Sequence, residues 1–232
     1  MDIADSTALV TGAAVGTGRA IALALARRGA TVVAADIDDP GGRETQRLGG
    51  SAVRYVHLDV ADGDGLGKLV GDVAPTILVN NAGGGARAPW RYPDAASELW
   101  ELTLTVNLVA AMRATQAALP GMRAAGAGAV VNLASSAAWG PDAHRWPEYA
   151  VAKAGLLRFT TAMRDFDPRV RINCLAPDWI ATERLTAAEL ATEPPPIPLA
   201  RITEQVERLV VDDTLSGRVV VLDRGRAPVL LA

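Results

Sequence analysis

Seven short apolar runs, most of them rich in valine, punctuate the chain at residues 8–10, 31–35, 53–58, 76–79, 129–133, 170–175 and 218–222. Strands that stay apolar along their length, without alternation, are buried on both faces, as in a central parallel sheet. Longer Ala- and Leu-rich stretches of helical character fill the gaps, notably residues 18–28, 96–125, 147–165 and 203–211. This alternation predicts an α/β fold: one doubly wound domain over residues 1–232, with a mainly parallel seven-stranded sheet and helices on both faces. The only proline-rich segment, residues 193–198, reads as a stiff loop.

Composition narrows the setting. Half the residues are apolar and the net charge is −3, so nothing suggests a nucleic-acid surface. Cys174 is the single cysteine, which excludes an internal disulfide and favours a reducing compartment. The first residues lack the basic and apolar regions of a signal peptide, and no apolar run is long enough to span a bilayer. A cytoplasmic protein is expected, and its Ala, Gly and Arg bias resembles a bacterial chain from a GC-rich genome.

The first apolar run leads into Thr11-Gly12-Ala13-Ala14-Val15-Gly16-Thr17-Gly18 and then a helical stretch. Glycines there let the backbone approach a pyrophosphate at a helix N-terminus. Asp36 ends the second run, where a carboxylate can accept the adenosine ribose hydroxyls and would repel a 2′-phosphate. No Lys or Arg stands at Val15 or directly after Asp36 to hold that phosphate, so NAD(H) is predicted over NADP(H). Further along, Tyr149 and Lys153 share one face of a helix, one turn apart. An ammonium beside a phenol favours the phenolate and suits the tyrosine to general acid/base work. Lysine here runs against the chain's own preference, since only Lys68 and Lys153 accompany 21 arginines.

The order of these motifs resembles the short-chain dehydrogenase/reductase family over nearly the whole chain, with a Rossmann domain as its fold. The resemblance assigns Gly12, Ala14, Gly16, Thr17 and Gly18 to the cofactor loop, and Asp59 and Val60 to the adenine ring. Asn80-Asn81-Ala82-Gly83 matches the family's Asn-Asn-Ala-Gly motif and places Asn81, Ala82 and Gly83 on the cofactor side of the sheet. Asn107 matches the helix asparagine that helps hold a proton-relay water. Tyr149 and Lys153 become the catalytic pair, with Lys153 also holding the nicotinamide ribose. For the catalytic serine, strand register from Asn132 selects Ser135, whereas a spacing of 13 back from Tyr149 selects Ser136. Register is stiffer than loop length, so Ser135 is chosen.

Two departures stand out. Pro177-Asp178 replaces the usual Pro-Gly, although Ile180 and Thr182 remain placed to meet the nicotinamide carboxamide. Asp223-Arg224-Gly225 stands where Asp-Gly-Gly is common. The segment from Thr182 to Arg201 implies a short substrate lid. Trp90, Trp139, Trp146 and Trp179 fall around the expected pocket, which hints at an apolar or aromatic substrate. His144 lies in the same region and His57 on a strand, so no metal site is expected.

The reaction implied is hydride transfer between NAD(H) and a secondary alcohol or its ketone. The resemblance also permits an NADPH-dependent 3-oxoacyl-thioester reductase, or an NAD(H)-binding regulatory protein without turnover. Stretches 96–125 and 147–165 resemble helices that pair between subunits in the family. With the apolar ending Val229-Leu230-Leu231-Ala232, they imply a homotetramer, or failing that a dimer.

Overall fold

The computed structural model describes residues 1–84, 92–139 and 146–231. Seven parallel strands form where the apolar runs place them: β1 (Thr7–Thr11), β2 (Thr31–Asp36), β3 (Val53–His57), β4 (Ile77–Asn80), β5 (Gly128–Leu133), β6 (Val170–Pro177) and β7 (Val219–Leu222). An eighth, β8 (Val229–Leu231), corrects the expected count, and the sheet order is β3-β2-β1-β4-β5-β6-β7-β8. β8 folds back antiparallel on β7 after a turn through Gly225, whose φ is +67°. Three apolar residues are too few to announce a strand, and β8 forms because β7 offers an open edge.

The helices are α1 (Gly16–Arg27), α2 (Asp39–Gly49), α3 (Gly63–Val73), α4 (Ser97–Leu104), α5 (Ala110–Ala124), α6 (Pro147–Ala162), α7 (Ala187–Leu190) and α8 (Leu199–Val211). Hydrophobic pattern misses α2 and α3 because glycines dilute them. Their starts are nevertheless written locally: Asp38 accepts from Gly41 N, and Asp62 accepts from Asp64 N and Gly65 N, each as an N-cap. The expected continuous helix over residues 96–125 is divided by a π-helical turn, Thr105–Val109, which contains Asn107. Such a turn inserts one extra residue and bulges the helix at that point.

The core is layered on the two sheet faces. Ile21, Leu25, Ile202, Val206 and Leu209 from α1 and α8 pack with Val10, Val32 and Val131. Leu66, Val70, Ala114 and Met122 from α3 and α5 pack with Leu9, Leu78 and Val130 on the other face. Strand order reverses between β1 and β4, and a crevice outside the strand carboxyl ends at such a switch point is where doubly wound sheets take ligands. Among the described residues, no helix is long and apolar enough to cross a membrane.

Candidate active site

β1 ends at the switch point, where Gly12 has φ +66° and sits so close to Ala82 that a Cβ would lie 2.7 Å from its Cα. A Cβ at Gly18 would run into the Gly12 carbonyl, and Gly16, with φ +53°, opens α1. The neighbouring turn is sewn to this loop. Asn81 Nδ2 donates to the carbonyls of Thr11 and Gly12, both at 2.9 Å, and Thr11 Oγ1 accepts from Asn81 N and Ala82 N at 3.1 Å. The loop is thus held open at the N-terminus of α1, with backbone N–H groups directed outward.

Asp36 lies beside the loop, and two backbone amides orient its carboxylate: Ala14 N donates to Oδ2 at 2.8 Å and Asp38 N to Oδ1 at 3.0 Å. A carboxylate has about four acceptor positions, so two remain for ribose hydroxyls. The Ala14 amide, assigned to the cofactor loop by sequence, is therefore engaged by Asp36. Asp59 is exposed, with Oδ1 accepting from Ala61 N, and Val60 is buried beside it. Thr17 lies in the first turn of α1. The glycine cradle at the start of α1 and the oriented Asp36 carboxylate fit a nicotinamide dinucleotide.

β5 and α6 bring Ser135, Tyr149 and Lys153 together. Ser135 hydrogen-bonds the Tyr149 phenol, whereas Ser136 turns away and donates to Asp178 Oδ1 at 3.3 Å. Lys153 follows Tyr149 by one turn. Its Nζ is buried, donates to Leu133 O at 2.8 Å and lies 5.5 Å from the Tyr149 ring centre. Burial pushes the Tyr149 phenol above its ordinary pKa, with the Ser135 hydroxyl opposing it. Burial also lowers Lys153 to about 8. The sequence pairing predicts that Lys153 lowers the tyrosine; in the structure the Ser135 hydroxyl opposes burial at the phenol, and the Lys153 ammonium donates to the Leu133 carbonyl. Cys174 lies near Lys153, and its thiol is pushed up to about 12 by burial.

Asn107 is buried, and its side chain is committed to backbone. Nδ2 donates to Gly84 O and Thr103 O at 2.9 Å, and Oδ1 accepts from Gly84 N at 2.9 Å. A Cβ on Gly83 would lie 2.5 Å from Asn107 Oδ1 and 3.2 Å from Lys153 Nζ, so that glycine lets the turn after β4 close over both residues.

Beyond β6 the lid arms are joined at their base. Ile197 N donates to Trp179 O at 2.7 Å, Ala181 N donates to Ile197 O at 2.9 Å, and Ile180 and Ile197 form a β-bridge. Thr182 abuts Gly16, with Cγ2 at 3.4 Å from where a Cβ would stand. The two departures noted in the sequence meet here. Arg224 Nε donates to Asp178 Oδ2 at 2.8 Å, Arg224 Nη1 donates to Pro194 O at 3.3 Å, and the guanidinium lies 5.5 Å from the Trp179 ring centre. Trp139 and Trp179 are exposed and Trp146 is partly buried, while Trp90 and His144 lie outside the described residues.

Sequence reasoning missed a buried polar chain behind the site. Asn80 Nδ2 donates to Asn132 Oδ1 at 2.8 Å, and Asn132 Nδ2 donates to Thr160 Oγ1 at 2.9 Å, which fixes β4, β5 and α6 relative to one another. Consecutive asparagines at a strand end were its one local signal. Glu183 was also missed: its Oε1 accepts from Gly16 N at 2.8 Å.

A doubly wound parallel sheet with a glycine loop at its switch point and a Ser, Tyr and Lys cluster at the strand ends defines a class of dinucleotide-dependent oxidoreductases. The family model for short chain dehydrogenase matches residues 6–192, and the chain belongs to that family. It is 35% identical to the short chain dehydrogenase helC of Aspergillus fumigatus, over 94% of this chain and 95% of that one. It is 32% identical to the 3-oxoacyl-[acyl-carrier-protein] reductase FabG of Thermotoga maritima, over 97% and 99%. A candidate NAD(P)-dependent gluconate 5-dehydrogenase from Beutenbergia cavernae, solved with NADP at low occupancy, superposes with a TM-score of 0.83 at 30% identity, covering 97% and 98% of the two chains.

Proposed function

We propose that residues 1–232 form one catalytic domain that interconverts a secondary alcohol and its ketone with NAD(H), acting on a small apolar or aromatic molecule in the cytoplasm. The observation that carries this reading is the Tyr149 phenol, hydrogen-bonded by Ser135, one turn from a buried Lys153 at the carboxyl ends of the strands. When bound, the nicotinamide supplies or accepts the hydride. In reduction, Tyr149 Oη gives a proton to the carbonyl oxygen, and Ser135 Oγ donates a hydrogen bond to that oxygen as charge develops. Burial keeps Tyr149 in the phenol form needed for this donation. Lys153 stabilises the phenolate left behind and hydrogen-bonds the nicotinamide ribose, and Asn107 supports the water path that returns the proton. Ile180 and Thr182 would hold the carboxamide, and Asp59 and Val60 the adenine.

Asp36 supports NAD(H) over NADP(H), because its oriented carboxylate repels a 2′-phosphate. A second reading, reduction of a 3-oxoacyl thioester with NADPH, draws on the likeness to the Thermotoga maritima reductase. The proposed assembly is a homotetramer, supported by exposed apolar side chains at Leu102, Met112, Val151 and Phe166 on and beside α4, α5 and α6.

The test is NADH and NADPH turnover over a panel of secondary alcohols, ketones and a 3-oxoacyl thioester, with Tyr149→Phe beside the wild type. NADH-linked turnover that falls by about 10²–10⁴ in Tyr149→Phe, with NADH binding kept, supports the reading. Tighter binding of NADPH than NADH would remove the role given to Asp36. Turnover unchanged in Tyr149→Phe would remove the mechanism.

A further inference from the structure

Helix α1 has no cap of its own. Val15 provides no side-chain cap, and no acidic residue stands in the first turn. The cap comes instead from the root of the lid, 167 residues away, where Glu183 Oε1 accepts from Gly16 N at 2.8 Å. The position is reproducible because the lid base is pinned: Ala181 N bonds Ile197 O, Ile180 bridges Ile197, and Thr182 packs on Gly16. A carboxylate there satisfies an orphan N–H and sits in the positive field of the helix end.

The Gly16 N–H belongs to the set to which the nicotinamide-dinucleotide reading of this site assigns the pyrophosphate. Two anions cannot both take it. We propose that Glu183 is a built-in occupant of the pyrophosphate position: in the free protein it latches the lid to the glycine loop, and dinucleotide binding displaces it. Glu183 is exposed, so its carboxylate can turn into solvent without losing a buried environment. The displaced charge remains near the phosphates and weakens their binding. Glu183 therefore sets dinucleotide affinity and makes release of the lid root a consequence of cofactor entry. This inference rests on the dinucleotide reading of the site, and it names a residue that acts on the phosphates and not on the hydride-transfer chemistry.

The experiment is fluorescence titration of NADH into the wild type, Glu183→Gln and Glu183→Ala at low ionic strength, with ADP and adenosine as competing ligands. Removing the charge is expected to tighten NADH and ADP by about fivefold, and to leave adenosine, which has no phosphate, unchanged. Glu183→Gln keeps the size of the side chain and guards against a packing effect. Affinity for NADH that is equal or weaker in both variants overturns the proposal. An equal gain for adenosine also overturns it, since the lid would then be a general obstruction. If the wild type binds neither NADH nor NADPH, the two readings separate. Binding that appears in Glu183→Gln supports the latch and keeps the dinucleotide site, whereas silence in both variants overturns both.

Discussion

The Asp178 carboxylate and the Arg224 guanidinium meet at 2.8 Å, although 46 residues separate them in the chain, and each replaces a residue that is commonly glycine in the family. The pair ties the end of β6 to the loop after β7. Through Ser136 Oγ and Pro194 O it also reaches the serine segment and the proline run of the lid. Asp178 is thus a strut, not an isolated turn residue, and the two departures meet in one contact.

Restoring glycine at one position alone strands the other charge at a half-buried site. Asp178→Gly and Arg224→Gly are each expected to cost about 1 kcal/mol, with the double variant losing less than their sum by roughly 0.5–1 kcal/mol. Urea unfolding of the four proteins measures that coupling, and strictly additive losses would show that the contact carries no energy.

The adjacent serines face different partners. Ser135→Ala removes the hydroxyl that bonds Tyr149 and is expected to lower kcat by about 10²–10³. Ser136→Ala removes only the 3.3 Å bond to Asp178 and is expected to leave kcat nearly unchanged. Steady-state kinetics on any substrate found in the panel decides between them. A larger loss at Ser136 would reverse the assignment.

Lys153 makes stability depend on alkaline pH in a predictable direction. Burial brings it to about 8 in the folded protein, whereas a lysine in the unfolded chain titrates at about 10.4. Below pH 8 both states hold the proton, and the folded state bears the full cost of a buried ammonium. Between about 8 and about 10.4 the unfolded chain binds more protons, so this residue makes stability rise with pH, by roughly 3 kcal/mol at most. Differential scanning calorimetry of the free protein is expected to show Lys153→Met more stable than the wild type at pH 7, with the gap closing toward pH 10. A gap that stays constant with pH would mean that the ammonium is not what burial penalises.

The chain's local pattern determined most of the frame. Strands buried on both faces must be apolar throughout, so β1 to β7 were legible as runs, and the glycine turn into α1 and the shared helix face of Tyr149 and Lys153 were legible because short spacing alone fixes them. α2 and α3 were not, since their glycines and polar residues conceal a helical period that packing against the sheet stabilises. β8 was hidden because a three-residue strand exists only by pairing with its neighbour. Tertiary structure alone decided that Ser136 turns to Asp178, that Asn107 clamps Gly84 from a π-turn, that Arg224 answers Asp178, and that Glu183 caps a helix 167 residues upstream. Each of these is a contact between single polar groups distant in sequence. Such a contact leaves no period or spacing in the chain, and only the folded sheet, which gathers the strand ends on one edge, brings its two halves within reach.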